Sequence, residues 1–256
     1  NRDFKLGRLL DWARTRGADY VATGHYARLC RSLQNGTVSL ARGVDRTKDQ
    51  TYFLFALSQA QLAHTLFPLG DLAKSEVRQA ARRFGLPVAD RPESQDVCFG
   101  DYRTFVESFA ERKDLRSGEI VDRSGKVLGR HSGLHQLTVG QRKGLGIAAP
   151  QPLYVLEIDN ESGRVVVGPR EELGCQGLIA SSVNWLEKPA AKKISAQVQV
   201  RYRSAAIPCS VQPREKDSCE VRFLEGFPAV TPGQAAVFYY GDRVLGGGWI
   251  EEAIRA

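Results

Sequence analysis

Gly17-Ala18-Asp19-Tyr20-Val21-Ala22-Thr23-Gly24-His25-Tyr26 combines a helix stop, a strand and a loop in one short stretch. Before it, Leu6, Leu9, Leu10 and Ala13 recur at helical spacing, so residues 4–15 read as a helix ended by Gly17. Ala18–Ala22 then reads as a buried strand and Thr23–Tyr26 as the loop after it. Downstream, Ser58 with Gln61 forms a capping box that opens a second helix. Val77, Ala80, Ala81 and Phe84 mark a third over Ser75–Phe84, stopped by Gly85 and Pro87. A fourth is expected after Asp101, carrying Phe105 and Phe109. Strands interleaved with helices predict a parallel α/β sheet. In such sheets ligands bind beyond the carboxyl ends of strands, where Thr23–Tyr26 lies.

From about residue 114 the pattern changes. Glu119–Asp122 and Lys126–Gly129 flank Arg123-Ser124-Gly125, and Leu153–Ile158 and Arg164–Val167 flank Asp159–Gly163, which are two hairpin signatures. After Gly174 the strands lengthen. Ile194, Ala196, Val198, Val200 and Tyr202 alternate with a polar and basic face, and Cys219–Phe223, Ala235–Tyr240 and Val244–Ile250 continue the series. The fold expected is multidomain α/β plus β. Residues 1–113 form an α/β domain, 114–172 a small β-rich central domain, and 173–256 a β-barrel.

The chain has 256 residues, 42% of them apolar and 25% charged, which suits a protein that buries a real core. No run approaches the ~18 apolar residues of a membrane span, so no membrane partner is expected. The net charge of +7 falls mostly in residues 1–113 and permits a polyanionic partner. Five cysteines, at 30, 98, 175, 209 and 219, include no C-x-x-C pair, so no zinc site or disulfide framework is expected, and a reducing cytosol fits. Methionine is absent and the first helix begins at once, so the expectation is the C-terminal part of a longer protein.

Cys98 lies in Arg91-Pro92-Glu93-Ser94-Gln95-Asp96-Val97-Cys98-Phe99-Gly100, a polar run after a terminated helix. A thiol there is placed to meet a substrate, whereas a packing cysteine sits among apolar neighbours. Cys175, Cys209 and Cys219 lie in the β-rich part and read as structural. Nothing in the chain supports a metal site by itself.

Several segments together resemble one family, the tRNA-specific 2-thiouridylases, which are ATP-pyrophosphatase-type tRNA-uridine 2-sulfurtransferases. These are Gly17–Arg28, Lys48-Asp49-Gln50-Thr51-Tyr52-Phe53-Leu54, Glu93–Phe99 and Thr138-Val139-Gly140-Gln141-Arg142-Lys143-Gly144-Leu145-Gly146. Val200–Arg203, Val230–Tyr239 and Leu245–Gly248 continue the match. The resemblance implies a nucleotide-binding α/β domain, adenylation of the uracil C2 oxygen by ATP, and sulfur delivery from a cysteine persulfide, a better nucleophile than water.

By the same resemblance Cys98 is the persulfide carrier and Gly24 approaches ATP, where glycine suits close backbone contact. His25, Lys48, Asp49, Gln50, Arg142, Lys143, Arg201, Tyr202 and Gln234 are the expected tRNA-binding residues. ATP and Mg2+ are the implied cofactors; tRNA and a persulfide donor or relay protein are the implied partners, in the cytoplasm.

Two departures stand out. The family's Ser-Gly-Gly-x-Asp-Ser loop occurs nowhere in the chain. Its Cys-Asn-x-x-x-Lys-x-Gly frame is matched at Asn1, Lys5 and Gly7 without the cysteine. The chain alone is therefore expected to be inactive. The alternatives are a non-catalytic RNA-binding module and a different ATP pyrophosphatase of the same activation chemistry.

Overall fold

A computed structural model describes residues 1–32, 36–90, 117–227 and 229–255, and it divides the chain into two compact units. The first is built from Asn1–Arg91, Leu178–Glu225 and Pro232–Glu252, the second from Pro92–Gly177, Gly226–Thr231 and Ala253–Ala256. No helix among the described residues is long and apolar enough to cross a membrane.

In the first unit the opening helix begins as a wide turn, Phe4–Arg8, in which Leu6 and Arg8 donate to the carbonyls of Asn1 and Asp3 five residues back. It continues as α1, Leu9–Arg14. Leu6 and Leu10 are buried, but Leu9, expected on the inner face, is exposed because the wide turn rotates the register. The strand expected over Ala18–Ala22 is shorter. Only β1, Val21–Ala22, is extended, pairing in parallel with β4, Thr65–Leu66. Ala22 is exposed and Val21 half-buried, not the buried strand predicted, since among the described residues β1 has a neighbour on one edge only.

The capping box forms as written. Ser58 Oγ accepts from the Gln61 amide at 3.2 Å and Gln61 Oε1 accepts from the Ser58 amide at 2.9 Å, opening α2, Gln59–Ala63. Gln61 Nε2 also donates to the carbonyls of Arg2 and Leu6, each at 2.8 Å, tying the first helix to the second. Helix α3 spans Lys74–Arg83, and Gly85 follows it with φ +64 while Leu86 donates to the Ala81 carbonyl. Its Phe84, expected on the packed face, is exposed.

A hairpin unforeseen in the sequence, β2 (Ala27–Arg31) with β3 (Val38–Arg42), completes this part. It joins a larger sheet containing β9 (Cys175–Trp185), β10 (Ile194–Gln199), β11 (Ile207–Arg214), β12 (Ser218–Phe227), β13 (Ala235–Tyr240) and β14 (Arg243–Ile254). The order runs β13-β10-β11-β12-β9-β14, and β13 pairs again with β14, so six strands close a barrel. The hairpin is added on β14, with Arg243 opposite Ala41.

One core serves helices and barrel together: Leu6, Leu40, Leu54, Leu57, Leu62, Phe67, Val237, Tyr239 and Val244 are buried in a single cluster. Asn184 of β9 reinforces it, donating to the carbonyls of Phe55 at 2.7 Å and Leu57 at 2.9 Å.

The second unit carries a four-stranded sheet. Its strands are β5 (Gly118–Val121), β6 (Val127–His131), β7 (Tyr154–Asp159) and β8 (Arg164–Gly168), in the order β6-β5-β8-β7. Both predicted hairpins are present, and their turns share one device. Asp122 accepts from the Ser124 amide and hydroxyl, and Asp159 from the Ser162 amide and hydroxyl. Gly125 and Gly163 take the left-handed positions, φ +85 and +70. Ile120, Val155, Leu156, Val165 and Val167 form the core.

Candidate functional site

The loop Thr23–Tyr26 leaves the carboxyl end of β1, held by the Thr23 amide on the Leu66 carbonyl at 3.0 Å. Thr23 Oγ1 lies 2.7 Å from His25 Nδ1, and the imidazole and the Phe67 ring meet edge to face with centroids 5.6 Å apart. His25 is buried. Burial, aided by the charge of Lys5, pushes its pKa down to about 4, so the ring is neutral at pH 7, donating from one nitrogen and accepting at the other. Gly24 is exposed beside it. A Cβ there would meet only Leu69 Cδ1 at 3.5 Å, an ordinary contact, so the fold does not demand glycine and a ligand has room at the backbone.

Lys48-Asp49-Gln50 packs against this loop. Gln50 Oε1 accepts from the Tyr26 amide and the Gln50 amide donates to the Tyr26 carbonyl, both at 3.0 Å. Asp49, expected at the RNA, is turned inward. Its Oδ1 accepts from the Gly43 amide at 3.0 Å, and its Oδ2 from Arg42 Nη1 at 3.0 Å and Thr51 Oγ1 at 2.7 Å. Its side chain is only 6% exposed, so both oxygens are committed inside the protein. Lys48 is half-buried.

The turn Thr51–Phe53 gathers the other expected residues of this unit. Phe53 lies 4.4 Å from the Tyr202 ring, and Tyr52 OH donates to the carbonyl of Ala235, next to Gln234, at 3.0 Å. Strand β10 ends at Gln199, so Arg201 and Tyr202 sit in a turn whose Arg201 carbonyl accepts from the amide and hydroxyl of Ser204. Tyr202 is half-buried, its ring tilted against those of Tyr52 and Phe53. Gln234 is exposed beside Gly233, whose φ is +83, and its carbonyl accepts from Ile250.

In the second unit Arg142 and Lys143 are exposed on a loop shaped by Gly140, Gly144 and Gly146, all with positive φ. Gln141 ties the loop to itself, accepting from the Thr138 amide at 3.0 Å and donating to the Lys143 carbonyl at 2.9 Å. Arg142 and Gly144 also line a cavity of about 460 Å³ with Ile147, Pro150 and Leu153. A cationic, glycine-shaped loop of this form suits an anion.

Cys98 and the helix expected after Asp101 lie outside the described residues. Cys175, Cys209 and Cys219 are buried, and burial pushes the thiols of Cys209 and Cys219 up to about 12, which suits packing and not nucleophilic chemistry. Cys30 is exposed. Among the described residues no group of three or more His, Cys, Asp or Glu could hold a metal ion. Arg42 is not singled out by the sequence, because the strand that carries it, β3, is unforeseen there.

Comparison with known proteins defines the class first. Residues 1–101 match the tRNA methyl transferase HUP domain, 103–169 the tRNA methyl transferase PRC-barrel domain, and 175–250 the aminomethyltransferase beta-barrel domain. The tRNA-specific 2-thiouridylase MnmA of Geotalea uraniireducens is 54% identical over 258 residues, covering 99% of this chain and 68% of that protein. The Picosynechococcus sp. tRNA-specific 2-thiouridylase MnmA is 52% identical, covering 98% and 72%, and MnmA 2 of Syntrophus aciditrophicus is 47% identical, covering 99% and 81%. The chain belongs to the tRNA-specific 2-thiouridylase family, a family of sulfur-transferring enzymes.

Proposed function

We propose that this chain serves the ATP-dependent 2-thiolation of the wobble uridine of tRNA, in the cytoplasm. The observation that carries the reading is about half identity across nearly the whole chain to proteins named for that reaction. The gathering of His25, Gln50, Tyr202 and Gln234 around one loop and one turn supports it.

ATP supplies the adenylyl group that makes the uracil C2 oxygen a leaving group. The described residues fit one side of that nucleotide: the exposed backbone at Gly24 leaves room for adenosine. No phosphate loop of the Ser-Gly-Gly-x-Asp-Ser form is in the sequence, and the described residues offer no cluster of ligands for Mg2+. His25, neutral at pH 7, offers a hydrogen bond near the reacting base without adding charge. Cys98 carries the sulfane sulfur, loaded by a persulfide donor or relay protein; this outer sulfur attacks C2 as AMP leaves, and a second thiol then takes the Cys98 sulfur into a disulfide, breaking the S–S bond and leaving the outer sulfur on C2. Lys48, Arg142, Lys143 and Arg201 meet phosphates, and Gln234 a base or ribose edge. Tyr202, with the Arg203 guanidinium over its ring at 5.5 Å, meets a base beside that cation.

The test is Cys98→Ser in the form of the protein that thiolates tRNA. The expected result is loss of 2-thiouridine with tRNA binding retained. Undiminished thiolation by Cys98→Ser would favour a different ATP pyrophosphatase. Tight tRNA binding without thiolation in any form would favour a binding module.

A further inference from the structure

We infer that Arg203 is a further tRNA-binding residue, whose exposed guanidinium meets the phosphate of the nucleotide that Tyr202 contacts. The inference rests on tRNA being the substrate, as the thiolation reading has it. Its physical basis is a turn that sets an arginine where the backbone favours glycine.

The turn follows the end of β10. The Ser204 amide donates to the Arg201 carbonyl at 3.1 Å, closing a four-residue turn with Tyr202 and Arg203 at its centre. The Ser204 hydroxyl donates to the same oxygen at 2.9 Å and secures it. Arg203 takes φ +67, whereas Tyr202 stays out of the left-handed region. Turns of that pattern prefer glycine or asparagine at the second central position, and a longer side chain there is strained. Glycine would therefore make this turn at least as well. What it could not supply is the side chain.

That side chain does little for the fold. Arg203 is exposed, and its guanidinium carbon lies 5.5 Å from the Tyr202 ring centroid, a loose contact. Among the described residues it pairs with no carboxylate, whereas Arg28, Arg42, Arg46 and Arg243 of the same compact unit each hold one. Arg201, on the other side of Tyr202, is half-buried, so Arg203 is the member of the pair that stands in solvent. An aromatic ring and an uncompensated cation on adjacent residues match the two parts of one nucleotide, its base and its phosphate.

Filter binding of tRNA to the chain across a salt series, with urea denaturation alongside, tests the assignment. Arg203→Gly should raise Kd about fivefold or more near 0.1 M salt and lower the slope of log K against log salt by about 1. Its denaturation midpoint should equal or exceed that of wild type, because glycine enters the left-handed region freely. Arg203→Lys keeps the charge, so its slope should match wild type and its Kd should stay within about threefold. Wild-type affinity and slope in Arg203→Gly overturn the inference, as does a lowered midpoint, which would make the side chain a structural one. A wild-type chain that binds no tRNA overturns it too. Wild-type protein that binds tRNA and makes no thiouridine, with Arg203→Gly behaving as stated, sinks the thiolation reading and leaves Arg203 at the RNA.

Discussion

The guanidinium carbon of Arg42 stands 3.7 Å from the ring centroid of Tyr239, and the same group holds Asp49 through Nη1 at 3.0 Å. One side chain from the N-terminal hairpin thus satisfies an acid on the following loop and covers an aromatic ring of the barrel. Arg42 and Asp49 are 18% and 6% exposed, so water screens the pair little. Arg42→Met would leave the Asp49 carboxylate buried without its cation, at a cost of about 3–5 kcal/mol. Arg42→Lys keeps the charge and loses the fork and the stacking, so its cost is intermediate. Urea denaturation measures both, and a loss below about 1 kcal/mol in Arg42→Met contradicts the account.

His25 makes stability depend on pH. The folded imidazole titrates near 4 because burial, then Lys5, disfavours the proton, while its ordinary value is 6.5. Between those values the unfolded chain binds the extra proton. The stabilisation from His25 is therefore complete above pH 6.5 and is lost as the pH falls toward 4. The slope it contributes is at most about 1.4 kcal/mol per pH unit. His25→Gln should flatten the curve of denaturation midpoint against pH in that window, and an unchanged curve refutes it. Asp45 and Asp242, also held low by hydrogen bonds, titrate at lower pH in both proteins and cancel in the comparison.

Glycines at two places should respond in opposite ways. A Cβ at Gly247 would meet Phe55 Cδ2 at 2.7 Å and the Ala236 carbonyl oxygen at 2.8 Å, so Gly247→Ala should destabilise by about 1–3 kcal/mol. Gly24→Ala meets nothing closer than 3.5 Å and should leave thermal stability within about 0.5 kcal/mol of wild type. Its expected effect is on nucleotide affinity, measured by equilibrium dialysis with ATP in the thiolating form. Unchanged affinity would remove Gly24 from the nucleotide site.

Arg142 and Lys143 are exposed cations on a loop whose shape is set by glycines and Gln141. Replacing either with Ala should weaken tRNA binding for all sequences and lower the slope of log K against log salt by about 1 for each phosphate left without its cation. Filter binding across a salt series checks this. An unchanged slope would place the loop away from the RNA.

Much of the local structure was legible. The Ser58–Gln61 box, the Gly85 stop and the two hairpins closed by Asp122–Gly125 and Asp159–Gly163 depend on residues three to five apart, so the signal and the structure share a scale. Strand β13 was bounded to the residue for the same reason, its apolar run being continuous because it is buried in a closed barrel wall. The strand at Ala18–Ala22 was overread, because an apolar run does not say how many neighbours it has.

By itself the chain determined its element types, its caps and turns, and through its ordered motifs the family to which it belongs. What only the tertiary structure decided is which polar side chains face inward. Asp49 and Gln50 look like solvated turn residues in one dimension, and nothing in the sequence marks Arg42 out. They meet because β2–β3 docks on β14 and brings residues nearly two hundred positions apart, Arg42 and Tyr239, into contact. Local spacing carries no record of such a meeting, since it is created by burial shared between distant segments.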